Sequence, residues 1–317
     1  MSEPEARGAG GRAEGPRGAR TSRVAARIER AFRDAGVVGC LAAIDVDDET
    51  RRVEVRADEP VVIASVLKVP LLVAFYRQVA AGRIDPAEQV VLRPDERTAG
   101  PTGIGMLRDE VRMSLRDLAA MMITISDNAA ADALFARIGA DTVNAVLDEL
   151  GLHRTRVPGG CRELFDTLLV DAGVGGMDEL WAVLDEPGLL GRLRALDPAR
   201  TACGTPAEIA RLFAAIWRDE AAPPAECAQM RRIFGLQVWP HRLASGFPFD
   251  DVRVGGKTGT LPTIRNEAGV VEYPDGGRYA VAVFTRSLST AAVLPQADAV
   301  IGTTARLAVE HLRIPGR

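Results

Sequence analysis

The chain has 317 residues, nearly half of them hydrophobic, and a formal net charge of −4. That is enough apolar material for one large domain or two intertwined ones around a sizeable core. The acidic balance argues against a dedicated nucleic-acid binder, which would show a basic surface, and no stretch is long and apolar enough to span a membrane as a helix.

Residues 1–20 are rich in Gly, Arg and Glu and carry no apolar run, so they read as a disordered tail. A signal peptide would need a positive segment followed by an apolar one. None is present, and the expected location is the cytoplasm. Thr21 can cap a helix reaching about Gly36, with Val24, Ile28, Ala31 and Phe32 on one face. Val37–Val46 is β-rich, 47–50 is a turn, and Arg51–Arg56 alternates as a return strand, which together predict a hairpin. An apolar helix begins at Ser65 and runs to Ala81, with Gly82 as its stop. Ser114 and Asp117 form a capping-box-like start for the next helix, which ends at Ser126. Helical patterns follow at Asn128–Ile138 and Asp141–Leu150.

Residues 151–205 are broken by Gly and Pro and show one helical pattern, near Asp178–Leu184. Pro206 suits the first turn of a helix to Arg218. Strands are then expected at Val252–Thr258, Ile264–Glu272 and Arg278–Arg286, the last two joined by a Tyr-Pro-Asp-Gly-Gly turn. A closing helix covers about Gln296–Leu312. Strands at both ends and helices between them predict an α+β fold. In it, an antiparallel sheet made by 21–60 and 236–317 is flanked by the terminal helices, and an all-helical domain, 61–235, is inserted. No internal repeat is present.

The most telling feature is cation usage. Of 39 basic side chains, 37 are Arg; the two lysines are Lys68 and Lys257. Arg cannot lose its proton in a protein, whereas a desolvated Lys can act as a neutral base. Lys68 closes the segment Ser65-Val66-Leu67-Lys68. A Ser at a helix N-terminus sits where the dipole favours negative charge, and a Lys at i+3 returns to the same face. Apolar neighbours would depress its pKa by desolvation and make it a base for the hydroxyl. The plainer alternative is a capping Ser and a Lys whose head reaches solvent. Ser126-Asp127-Asn128 reads either as caps between two helices or as a proton-relaying hydroxyl with a substrate-binding amide. Lys257-Thr258-Gly259 lies on a predicted strand, where Lys can simply guard an edge. Cys40, Cys161, Cys203 and Cys227 are scattered, which suits free thiols. Neither HExxH nor a Gly-x-Ser-x-Gly elbow occurs, so no metal and no organic cofactor are expected.

Taken together and in this order, Ser65-x-x-Lys68, Ser126-Asp127-Asn128 and Lys257-Thr258-Gly259 resemble the active-site signature of class A β-lactamases and penicillin-binding proteins. The resemblance runs from about residue 22 to the C-terminus and includes Thr205-Pro206, similar to the Thr-Pro that opens a helix after that family's omega loop. It implies that Ser65 is the acylated nucleophile, Lys68 its proton acceptor and Ser126 the relay. It further implies that Asn128 contacts a substrate amide, that Lys257 and Thr258 hold a substrate carboxylate, and that the N–H groups of Ser65 and Thr260 form the oxyanion hole. Arg265, on the strand beside Lys257, falls near where members place an Arg for that carboxylate.

Two departures stand out. The Glu-x-x-Leu-Asn pattern that supplies the family's water-activating carboxylate is absent, and the 151–205 segment is longer than usual. Glu163 is the nearest candidate for that carboxylate, with Asp166 and Glu179 as others. The family also normally works outside the cytoplasm. The expectation is a serine hydrolase of the class A type. It would cleave an amide, lactam or ester through a Ser65 acyl-enzyme, on a small carboxylate-bearing substrate in the cytoplasm, with neither nucleic acid nor membrane as partner. The alternatives are a penicillin-binding, D,D-peptidase-like enzyme or a poorly catalytic β-lactam-binding protein. The oligomeric state is left open.

Overall fold

The computed structural model describes residues 16–314, with side chains from residue 22. The first fifteen positions of the expected tail lie outside the described residues. Its last five already belong to the first helix, α1 (Pro16–Asp34). There follow β1 (Val37–Asp45), β2 (Arg52–Val55), β3 (Val61–Val62), α2 (Lys68–Ala80), β4 (Gln89–Leu92) and β5 (Val111–Ser114). The middle of the chain is α3 (Leu115–Thr124), α4 (Asn128–Ile138), α5 (Ala140–Glu149), α6 (Cys161–Ala172), α7 (Met177–Val183) and the single turn α8 (Leu189–Arg192). The last third is β6 (Cys203–Gly204), α9 (Pro206–Trp217), α10 (Pro224–Phe234), β7 (Arg253–Leu261), β8 (Ile264–Glu272), β9 (Arg278–Ser287) and α11 (Pro295–Arg313).

Five strands form one antiparallel sheet in the order β2-β1-β9-β8-β7. Both chain ends contribute, as the strand-helix-strand distribution predicts. Strand pleating separates the two faces. Leu41, Ala43, Val281 and Val283 point to the side where Val24, Ile28 and Phe32 of α1 pack with Ala305 and Val309 of α11. Ala42, Ile44, Ala280 and Ala282 point to the other side, toward α2, α9 and the helical region. That second face is covered by α9, which packs on β1, β8 and β9. This helix, placed by sequence in the inserted region, shares one apolar core with the sheet, α2 and α10. Its start matches expectation: the Thr205 side chain accepts from the Glu208 N–H, with Pro206 at the first helical position.

The inserted region is not wholly helical, because β3–β6 and β4–β5 are two small antiparallel pairs. Within 151–205 the structure adds α6 and α8 to the one helix expected. Leu164, Leu168, Leu180, Leu184, Leu189 and Leu193 form a separate small core seated on Val62, Ala64, Leu261 and Ile264. These helices have 12, 7 and 4 residues, too short for a periodic apolar pattern to stand out between glycines. Gly173, at φ +71°, stops α6 in the left-handed conformation.

Candidate active site

Ser65 sits on a tight 3-10 turn, Ala64–Leu67, that runs directly into α2. The turn is pinned from the sheet side. The Asn266 amide on β8 donates to the Val62 carbonyl at 2.9 Å, and β7 comes so close that a Cβ on Gly259 would lie 2.7 Å from the Ile63 carbonyl oxygen. Only glycine allows that approach. Ala64 is left at φ +50°, a strained setting for a residue with a side chain. The half-buried Ser65 thus stands at a fixed point between the strand and the helix.

Lys68 is completely buried. Its Nζ donates to the Ser126 carbonyl at 2.6 Å and to Asn128 Oδ1 at 2.8 Å, and lies 3.2 Å from Ser126 Oγ. Burial lowers its pKa; the Cys161 thiol, Asp127 and Asp132 oppose the shift. Ser126 is itself held at φ +61°, because Asp127 behind it is committed on both oxygens. Asp127 caps α4 by accepting from Ala130 N–H at 3.1 Å and ties down the preceding loop by accepting from Ile104 N–H at 2.6 Å. The capping reading and the chemical reading of this tripeptide are both satisfied: Asp127 does the capping and leaves Ser126 and Asn128 facing Lys68.

Lys257, on β7, is also fully buried. It donates to Ser126 Oγ at 2.9 Å and to the Thr258 carbonyl at 2.8 Å. Burial, then the nearby Lys68 charge, hold its pKa well below the ordinary lysine value. The strand beneath it is braced by two residues that no motif flagged. Gln237 accepts from Thr258 N–H at 2.8 Å and donates to Glu267 Oε1 at 2.6 Å; the other Glu267 oxygen accepts from Leu243 N–H at 2.7 Å. Burial raises the Glu267 pKa despite these donors.

Arg265 stands elsewhere than expected. Its guanidinium donates to the carbonyls of Leu261, Ile264 and Ala292, so it clamps the β7–β8 turn to the segment before α11. Arg242 takes the place beside Thr260. It donates to Thr260 Oγ1 at 2.9 Å, to the carbonyls of Gly259 and Asn266 at 3.0 Å each, and to Asp298 at 2.7 Å. One arginine among 37, in an irregular loop, offered no sequence signal.

Glu163 is exposed in the first turn of α6. Together with Asp166 it lines a cavity of about 430 Å³ that also touches Leu67, Arg194 and Ala202. Cys161, at the start of α6, is buried, which pushes its thiol pKa up against the opposing charge of Lys68. Asp132 anchors this helix start by accepting from Cys161 N–H at 2.6 Å and Arg162 N–H at 2.9 Å. Glu179 lies further off, accepting from Gly175 N–H ahead of α7. Among the described residues no group of three or more His, Cys, Asp or Glu side chains could hold a metal ion.

Ser65 at a strained turn, a buried amine behind it, and a hydroxyl shared between two amines can support nucleophilic attack followed by proton return to a leaving group. Lys257 and, through Thr260 Oγ1, Arg242 stand at the β7 end of this cluster.

The family model described as Beta-lactamase enzyme family matches residues 23–312. A curated relative, "Beta-lactamase regulatory protein BlaB" of Streptomyces cacaoi, is 30% identical over 301 residues, covering 90% of this chain and 96% of the relative. The β-lactamase of Sphaerobacter thermophilus superposes with a TM-score of 0.73 at 26% identity, over 93% of this chain and 99% of that one. PBP-A, solved as a point mutant in an acyl-enzyme complex with penicillin G, superposes at 0.72 and 22% identity, over 90% and 94%.

Proposed function

Because this chain belongs to the beta-lactamase enzyme family and is a class A β-lactamase-like serine hydrolase, we propose that it works through an acyl-enzyme at Ser65. Ser65 Oγ attacks the carbonyl carbon of a small carboxylate-bearing amide, lactam or ester. Lys68 takes the hydroxyl proton; the Ser65 and Thr260 N–H groups bind the developing oxyanion. As the bond to the leaving group breaks, Ser126 hands that group a proton and is resupplied from Lys68. Asn128 holds a substrate amide, and Lys257, Thr258 and Arg242 bind the carboxylate. The observation that carries this reading is the Ser126 hydroxyl, 3.2 Å from one buried amine and 2.9 Å from the other. Lys68 donates its backbone N–H to the Ser65 carbonyl, but its amine is hydrogen-bonded to Ser126 and Asn128 rather than to the Ser65 hydroxyl; such contacts tighten when substrate binds.

A second reading is favoured by one observation. No carboxylate of the described residues lies within hydrogen-bonding distance of Lys68, and Glu163 faces the neighbouring cavity. On this reading the acyl-enzyme forms but hydrolyses slowly, and the protein acts as a β-lactam binder, which suits a relative named as regulatory.

Intact-protein mass spectrometry after mixing with a penicillin and a chromogenic cephalosporin tests both. An adduct on the Ser65 peptide, absent in Ser65→Ala, supports the acyl-enzyme. Its persistence or rapid loss separates binder from hydrolase. Absence of both adduct and turnover with lactams and activated esters would refute the proposal.

A further inference from the structure

An unpaired strand edge is a ready template for an extended peptide. β7 is the outer strand of the sheet and pairs along one side with β8, which leaves its other edge open. Residues of an antiparallel strand turn their N–H and carbonyl alternately toward the partner strand and away from it. The Thr258 N–H goes to Gln237, away from β8, so Thr260, two positions on, also presents its N–H and carbonyl to the open side. β7 ends one residue later, at Leu261.

Both edge groups of Thr258 are taken. Its N–H donates to Gln237 Oε1 at 2.8 Å, and its carbonyl accepts from Lys257 Nζ at 2.8 Å. A backbone N–H can only donate, so the Gln237 amide has its oxygen on Thr258 and its nitrogen on Glu267, at 2.6 Å. The loop that carries Gln237 is fixed on both sides. The Gln237 N–H donates to the Phe234 carbonyl at the end of α10, at 3.3 Å, and the Val238 N–H donates to the Thr124 carbonyl of α3 at 3.1 Å. The loop starts where α10 ends against the strand: a Cβ on Gly255 would lie 3.3 Å from Gly235 N.

We propose that Gln237 is a specificity-determining residue that sets the length of the leaving group. Ser126, which hands the leaving group its proton, stands against Lys257, so that group lies at the Thr258 end of the open edge. There Gln237 holds the N–H that a further backbone unit would need. The leaving group is thereby confined to a single unit that ends in its carboxylate, and an extended peptide is refused. The proposal rests on the acyl-enzyme reading for which end of the substrate leaves. The filled edge is independent of that reading.

Two thioester donors with the same acylglycyl group test it. One leaves mercaptoacetate and the other mercaptoacetyl-glycine, so both end in a carboxylate and they differ by one backbone unit. Acylation of Ser65 in the full chain is followed by intact-protein mass spectrometry, and binding of the same donors to Ser65→Ala by calorimetry. The wild type should favour the short donor about tenfold or more, the cost of a backbone group left unmatched. Gln237→Ala should bring the ratio toward one. Gln237→Glu, which still offers an oxygen to the Thr258 N–H, should keep it. Loss of a brace alone would slow both donors alike, and an unchanged ratio in Gln237→Ala would overturn the proposal. Equal rates for the two donors in the wild type would overturn it as well, whether or not the Ala variant folds. Tighter binding of the short donor to Ser65→Ala, with no acylation of the wild type, would overturn the acyl-enzyme and leave the length limit standing. Binding of neither donor, with no acylation, would overturn both.

Discussion

Ser126 and Lys257 meet at 2.9 Å across the seam between the helical region and the sheet. The hydroxyl belongs to the loop between α3 and α4, the amine to β7, and 131 residues separate them. Lys68, from a third element, reaches the same hydroxyl. Each proposed proton movement therefore depends on the two halves staying in register.

Lys68→Arg should lower the rate of Ser65 acylation by about 100- to 10,000-fold, the usual cost of removing a positioned base. Arg keeps the charge but cannot give up a proton. Lys257→Arg should cost less in acylation rate and show mainly as weaker binding of carboxylate-bearing substrates. Both sites are fully buried, so thermal melting must accompany the kinetics. Equal and modest rate losses would mean that Lys68 supplies charge alone.

The two buried arginines should separate by function. Arg242→Lys removes a fork that spans Asp298, two carbonyls and Thr260, and an ammonium cannot replace all four contacts. Acylation by a carboxylate-bearing substrate should fall about tenfold, roughly 1.4 kcal/mol, with little change for an ester lacking the carboxylate. Arg265→Lys should lower the melting temperature and leave the carboxylate preference as it was. Measuring both substrates on both variants decides it; a carboxylate preference lost in Arg265→Lys would return that residue to the site.

Gly103 has φ +63°, and a Cβ there would run into the Asp127 carboxylate. Gly103→Ala should cost at least about 1–2 kcal/mol from the left-handed backbone alone and should slow acylation, because Asp127 fixes Ser126 and Asn128. Urea unfolding and acylation rates check the two effects separately. Lost stability with an unchanged rate would show that the Asp127 cap does not position the site.

Glu267 makes a prediction in pH. Its folded pKa lies above the ordinary 4.5 because it is buried. The folded state thus binds this proton more tightly than the unfolded chain. The resulting stability is complete below pH 4.5 and is lost as pH rises through the folded value. Glu267→Gln cannot titrate. The melting temperature of the wild type minus that of Glu267→Gln should therefore fall as pH rises above 4.5. A difference independent of pH would contradict the raised pKa.

Much of this protein is legible without coordinates. The helix starts at Ser114, Asp127 and Thr205 are written in capping chemistry. The strands β8 and β9 are bounded by turn residues, and two lysines among 37 arginines mark Ser65, Ser126 and β7 as a site. These are local signals, carried by residues a few positions apart. Arg242, Gln237 and Glu267 have no such signature, since each acquires its role from a partner tens of residues away or on another element. Arg265 and Arg242 look alike in sequence. Only the packing of the loop before β7 against β8 and α11 decides which guanidinium reaches Thr260 Oγ1 and which donates to the carbonyls of Leu261, Ile264 and Ala292. In the same way, the acidic side chains of 161–166 offered a carboxylate. Asp132 anchors the start of α6 through the Cys161 and Arg162 N–H groups, and Glu163 then lines the neighbouring cavity, without a hydrogen bond to Lys68.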